Sequence, residues 1–360
     1  MKITEVLTTI LRTGSVFVRV RTQDGVTGVG ECSPMNGRVL KAFVDHALAP
    51  IVIGEDARDV DRLWHAMFYR TLKLGAQGAQ MEAIAGIDIA LWDILGKTTN
   101  LPISTLLGGR QRDAIPLYAS IGGGMNLTVN AMAGQVEQAL AEGFTAIKIR
   151  MDWRADRQDR DPAKDLQMFA RCREVCGPDV PLSFDVNNGY SVPTAIQQGR
   201  KMESLGLYHY EEPVAPYDYA GLAQVADALD VPVSAGEHEY TRWQFRDLIQ
   251  QARVDIVQPD VVKCGGISEM RRIAVLAETF NKLFVPHQTQ PTVGTAANLH
   301  VCAALVSCPR PQEFTRRRPE LDDLFTQPLV FANGVMRVPT GPGLGLILDE
   351  SKLEALALAA

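Results

Sequence analysis

The chain has 360 residues, enough for two domains or for one large barrel with a smaller companion. It is 46% apolar and 22% charged with a net charge of -6, which excludes a disordered chain and a broad nucleic-acid surface. The six cysteines form no CxxC pair and no framework spacing, so they read as buried thiols in a reducing cytoplasm. No stretch approaches the roughly 18 apolar residues of a membrane span, and the amino terminus alternates like a strand with no signal core. A cytoplasmic protein is expected, with neither nucleic acid nor a membrane as partner.

Residues 1–113 read as strands followed by helices. SVFVRVRTQDGVTGVGE alternates on both sides of Asp24-Gly25, the signature of an antiparallel hairpin. MEAIAGIDIALWDILGK then spaces Ala83, Ile87, Ala90, Leu91 and Ile94 as a helix does, and Leu101-Pro102 closes it. An α+β lid domain fits this stretch. From 114 to 325 short apolar runs alternate with longer amphipathic ones, which is the βα rhythm of an α/β fold. The strand candidates are 115–121, 144–150, 181–187, 207–213, 231–237, 254–260, 282–287 and 311–314. Eight of them suggest a closed barrel. Residues 326–360, with VMRVPTGPGLGLILDE, resume strand and turn character and are expected to pack back on the first domain.

The polar residue that closes each strand candidate carries the chemistry. Asp185, Glu211, Glu237, Asp260, His287 and Glu313 follow one another at intervals of 23 to 27 residues, one βα unit each. In a (β/α)8 barrel such residues meet at the carboxyl-terminal face, where active sites are built. Asp185, Glu211 and Glu237 end three consecutive strands. Their carboxylates would repel without a cation, and oxygen-only ligation selects Mg2+ over zinc. Asn187 alternates onto the same side as Asp185 and could orient a ligand or contact substrate; a turn-forming role fits it equally. Glu212 is expected to face the helices.

His287 and Asp260 end neighbouring strands, so a dyad is expected in which the carboxylate fixes the imidazole and leaves its other nitrogen to exchange protons. Lys148 and Arg150 share a side of the second strand and can flank a small anionic substrate. A lowered pKa would make Lys148 a base; otherwise it binds carboxylate, which is also the default role of Arg150. Glu313 could hydrogen-bond a developing enolate or simply neutralise a cation. His238, next to Glu237, could contact a substrate hydroxyl or stand behind the ligands.

Taken together, AIAGIDIALWDILGK, Lys148-Ile149-Arg150, Phe184-Asp185-Val186-Asn187, Tyr210-Glu211-Glu212-Pro213, Ala235-Gly236-Glu237, Gln258-Pro259-Asp260, Pro286-His287 and PTGPGLGLILD span the whole chain. In these marks the sequence resembles the mandelate racemase and muconate lactonizing enzyme group of the enolase superfamily. The resemblance implies a capping domain over a (β/α)7β barrel and one Mg2+ on Asp185, Glu211 and Glu237. It also implies proton abstraction next to a carboxylate, through an enediolate, with the His287–Asp260 dyad of the mandelate racemase subgroup and Glu313 as its last-strand acid. In that family the capping-domain loops select the substrate; here these are the short loop near Leu11 to Ser15 and the one after Glu31.

The sequence departs from the subgroup at Arg150, where the second base is usually a lysine. Racemisation needs a base on each face of the α-carbon, whereas dehydration needs one base and an acid for the hydroxide. Arg150 therefore points to dehydration, and the runs GEHEY and HQTQP resemble the family's acid-sugar dehydratases more than its racemases, which implies conversion of a sugar acid to a 2-keto-3-deoxy acid. A racemase, epimerase or cycloisomerase is the alternative, and a homo-oligomer is expected.

Overall fold

The structure, a computed structural model, describes residues 1–152, 158–315 and 318–358. The first domain opens with an antiparallel sheet of β1 (Ile3–Ile10), β2 (Val16–Thr22) and β3 (Thr27–Cys32). Gly25 turns the hairpin at φ 81° and donates its N–H to the Thr22 carbonyl, the backbone that Asp24-Gly25 favours. The helix Ala79–Thr99 packs on β3 and is buried over nearly its whole length. Sheet and helix meet backbone to backbone: a Cβ added at Gly28 or Gly30 would collide with the carbonyl oxygen of Ala90 or Gly86. Glycine is required at both positions, because any side chain would lift the helix off the sheet.

The barrel strands are β4 (Ala114–Ile121), β5 (Ile147–Arg150), β6 (Leu182–Asp185), β7 (Leu207–Glu211), β8 (Val233–Ala235), β9 (Ile256–Val257), β10 (Leu283–Phe284) and β11 (Gln312–Phe314). They run parallel in chain order from β4 to β10, and β11 pairs with β4 on its other side. β4 begins one residue before its expected segment, and each of the others falls inside its own but is shorter. Asp185 and Glu211 close their strands, and Glu313 sits within β11. Glu237, Asp260 and His287 instead stand in loops just past β8, β9 and β10. Gly236, at φ 143°, and the prolines 259 and 286, which have no N–H to donate, end the three ladders early.

The last segment does two things. β12 (Phe331–Ala332) and β13 (Val335–Arg337) form a hairpin whose second strand pairs antiparallel with β4, an attachment to the barrel that the sequence reading lacked. The chain then returns to the first domain, where Leu344 N–H donates to Asp93, Leu358 N–H donates to the Ile10 carbonyl, and Glu350 takes Arg19 and Arg21.

The first domain is fastened over the barrel mouth by buried bonds. Trp64 Nε1 donates to the Gly265 carbonyl at 2.8 Å and Trp92 Nε1 to Ser268 Oγ at 2.9 Å. Asp88 accepts from Ser268 N–H, and Glu31 from Gly294 N–H, each at 2.9 Å. The barrel partners lie after β9 and β10, so the lid is anchored beside Asp260 and His287. All six cysteines are free and buried. No helix among the described residues is long and apolar enough to cross a membrane.

Candidate functional site

The floor of the site is a buried ion cluster around Lys148 on β5. Its Nζ lies 2.5 Å from Glu211 Oε1, 3.0 Å from Glu313 Oε1 and 3.7 Å from Asp185 Oδ2. Burial alone would lower the lysine pKa, but the three carboxylates together hold it well above its ordinary value. Of the two readings of Lys148, this geometry favours the charged one, with the lysine enclosed as a counter-ion. Burial works to raise Glu211, yet Lys148 and His209 bring it down to about 2. Gln258 donates to its second oxygen at 2.7 Å. Asp185, buried and facing Glu211, is pushed well above the usual carboxylate range.

Above this floor His287 joins two carboxylates. Nδ1 lies 2.7 Å from Asp260 Oδ2, the expected dyad. Nε2 is not left free as expected, because Glu237 Oε2 stands 2.8 Å from it. Burial disfavours the charged imidazole, but Glu237, Glu313 and Asp260 raise its pKa well above the ordinary value. Glu237 is correspondingly held far below the usual range by His287, against its own burial. Glu313 ties the two layers together: one oxygen takes Lys148, the other accepts Gln288 N–H at 2.9 Å and lies 3.9 Å from His287. Both of its oxygens thus face cations or donors of the protein.

Glu212 overturns the expectation that it faces the helices. Its φ is +44°, so the strand alternation fails at this residue and the side chain turns back into the mouth. Its oxygens meet Asn188 Nδ2 at 2.8 Å and His238 Nε2 at 3.5 Å, and His238 lies equally far from Glu237. Donor atoms of Glu212, Glu237 and His238 lie within 4.8 Å of one another, close enough to share an ion. Asn187 is an orienting residue: its N–H and Nδ2 donate to the two oxygens of Asp185 at 2.7 and 2.9 Å, and its Oδ1 accepts Asp152 N–H.

Arg150 parts company with Lys148. Its guanidinium packs on Gly122 and pairs with Asp152 at 2.9 Å, a third of the side chain remaining exposed. It lines a cavity of about 380 Å3 between the barrel mouth and the lid loops at Thr13, Ser15 and Pro34.

Three buried carboxylates, Asp185, Glu211 and Glu212, and the half-buried Glu237 thus crowd one end of the barrel, and burial together with mutual repulsion raises Asp185 and Glu212. An excess of hard oxygen donors with two displaced titrations fits a hard divalent cation. Lys148, His287 and His238 supply positive charge around it. Sequence reasoning missed Glu212, His209, Gln258 and Lys263. The first was hidden by the assumption of regular alternation; Lys263 sits beyond β9 and is raised by Glu237 and Asp260 against burial.

Comparison with known proteins bears on this site. The family profile described as "Mandelate racemase / muconate lactonizing enzyme, N-terminal domain" matches residues 3–108, and "Enolase C-terminal domain-like" matches residues 131–352. The chain is 34% identical over 348 residues to arabinonate dehydratase of Saccharolobus solfataricus, covering 94% of this chain and 89% of the other. It is 35% identical over 353 residues to D-galactarolactone cycloisomerase of Agrobacterium fabrum, covering 95% and 91%. The structure of a mandelate racemase/muconate lactonizing protein from Paracoccus denitrificans complexed with magnesium superposes with a TM-score of 0.95. That protein is 40% identical, with 99% of this chain and 97% of the other covered.

Proposed function

This chain belongs to the mandelate racemase / muconate lactonizing enzyme family of the enolase superfamily, and from that premise we propose that it dehydrates a sugar acid to a 2-keto-3-deoxy acid. Asp185, Glu211 and Glu237 would hold one Mg2+, with Glu212 and His238 beside them. Bound there, the ion would stabilise the negative charge that gathers on the substrate carboxylate as the α-proton leaves.

The observation that carries dehydration is the asymmetry of the flanks. One imidazole, His287, stands on one side with its Nε2 at the mouth. The other side offers Lys148, sealed among three carboxylates, and Arg150, a guanidinium that stays protonated. A single acid-base residue is sufficient for a dehydration. His287 Nε2 takes the proton from the α-carbon and gives it to the hydroxyl on the neighbouring carbon, whose C–O bond breaks as water departs. The enol left behind tautomerises to the 2-keto acid. Asp260 keeps the ring oriented through Nδ1, and Lys148 with Glu313 keeps the floor rigid.

A cycloisomerase reading has one observation in its favour, the 35% identity to the Agrobacterium relative. Product analysis tests both. Incubation of a sugar-acid library with the Mg2+-loaded protein should yield 2-keto acids; a ring-opened or ring-closed isomer of unchanged mass would select the cycloisomerase instead.

A further inference from the structure

We propose that the substrate carries a second carboxylate and that Arg318 receives it, so that the enzyme is built for a polyhydroxy dicarboxylate; this rests on the sugar-acid reading above. The cavity of about 380 Å3 falls within the size range of small-molecule sites, roughly 300 to 1,000 Å3. It runs from Arg150, whose strand places it in register with Asp185, to Arg318 beyond β11. Among the described residues no carboxylate lines it, and Arg150 and Arg318 are its charged members.

Two further observations say what it takes. Four buried polar atoms on its walls, Thr13 Oγ1, Ser120 Oγ, Gln290 Oε1 and Arg150 Nε, have no hydrogen-bond partner among the described residues. Buried polar atoms are nearly always paired, so four orphans around one cavity point to a ligand rich in hydroxyls. The second concerns charge. Arg150 already spends part of its guanidinium on Asp152, whereas Arg318 makes no ion pair among the described residues. Glu31, the acid that feels the charge of Arg318, is driven by burial to about 8 and is largely protonated at neutral pH. An uncompensated guanidinium at the far end of a hydroxyl-lined cavity matches a carboxylate, not a terminal hydroxymethyl group.

The test is affinity in the His287→Asn protein with saturating Mg2+, by titration calorimetry. The probes are three matched pairs: galactarate with galactonate, glucarate with gluconate, and mannarate with mannonate. The dicarboxylate of at least one pair should bind about tenfold to a hundredfold more tightly than its partner. Adding Arg318→Met should erase that preference and Arg318→Lys should keep part of it. Equal affinities in every pair, absence of binding in all three, or a preference that survives Arg318→Met would overturn the proposal. These affinities need no turnover, so a failure of the dehydration reading, seen as no 2-keto acid from any sugar acid, is recorded separately.

Discussion

His287 Nε2 and Glu237 Oε2 are 2.8 Å apart although their strands, β10 and β8, are not neighbours. The contact couples the proposed acid-base residue to a carboxylate of the proposed cation site. Charge placed on or taken from Glu237 is felt directly by the imidazole, so cation binding and proton transfer are one electrostatic system.

His287→Asn should keep the fold and lose turnover by about 10²- to 10⁴-fold, the usual contribution of a positioned acid-base group. Asp260→Asn should cost less, since it disturbs ring orientation and leaves the imidazole in place. Steady-state kinetics together with α-proton exchange in deuterated water measure both. Near-normal exchange in His287→Asn would move the role to another residue.

Removing the lysine from the floor strands three buried carboxylates. Lys148→Met is expected to destabilise the protein by about 3 to 5 kcal/mol, as breaking a buried ion pair does, with part of the loss restored by Mg2+. Urea denaturation with and without the ion reads this out. An unchanged midpoint would show that the cluster contributes no net stability.

Exhaustive chelation should abolish activity, and Mg2+ should restore it. Glu211→Gln and Glu237→Gln should each weaken Mg2+ binding by calorimetry because a charged ligand is lost. Glu212→Gln is the discriminating variant. If it weakens the ion as much as Glu211→Gln does, the left-handed turn at Glu212 has brought a ligand into the site.

Glu31 predicts a pH dependence of stability. Its carboxyl is held at about 8 by burial, against 4.5 for an exposed glutamate, with Gly294 N–H and Arg318 opposing and Asp260 adding to the rise. Between those values the folded chain keeps a proton that the unfolded chain has released, so stability must fall as pH rises across the window. The contribution is at most a few kcal/mol. Glu31→Gln retains an acceptor for Gly294 N–H and should melt higher than the parent near pH 8 but not near pH 4.5. Parallel melting profiles would refute the assignment.

The barrel was legible because periodicity survives in a single sequence: the eight apolar runs and the spacing of their terminal polar residues placed Asp185, Glu211, Asp260, His287 and Glu313 around one mouth. The Asp24-Gly25 hairpin followed from turn chemistry. What alternation could not convey was its own interruption at Glu212, where a positive φ reverses the side chain.

The sequence by itself determined most of the ionisable groups that share the barrel mouth, Glu212 and Lys263 excepted, because strand order and side-chain alternation are local properties of the chain. Tertiary structure decided their partners and charge. Lys148 and Arg150, two residues apart on one strand, end in opposite roles, one sealed among three carboxylates and the other opening a cavity beneath the lid. Protonation depends on burial and on charges from distant strands, and neither is encoded in spacing.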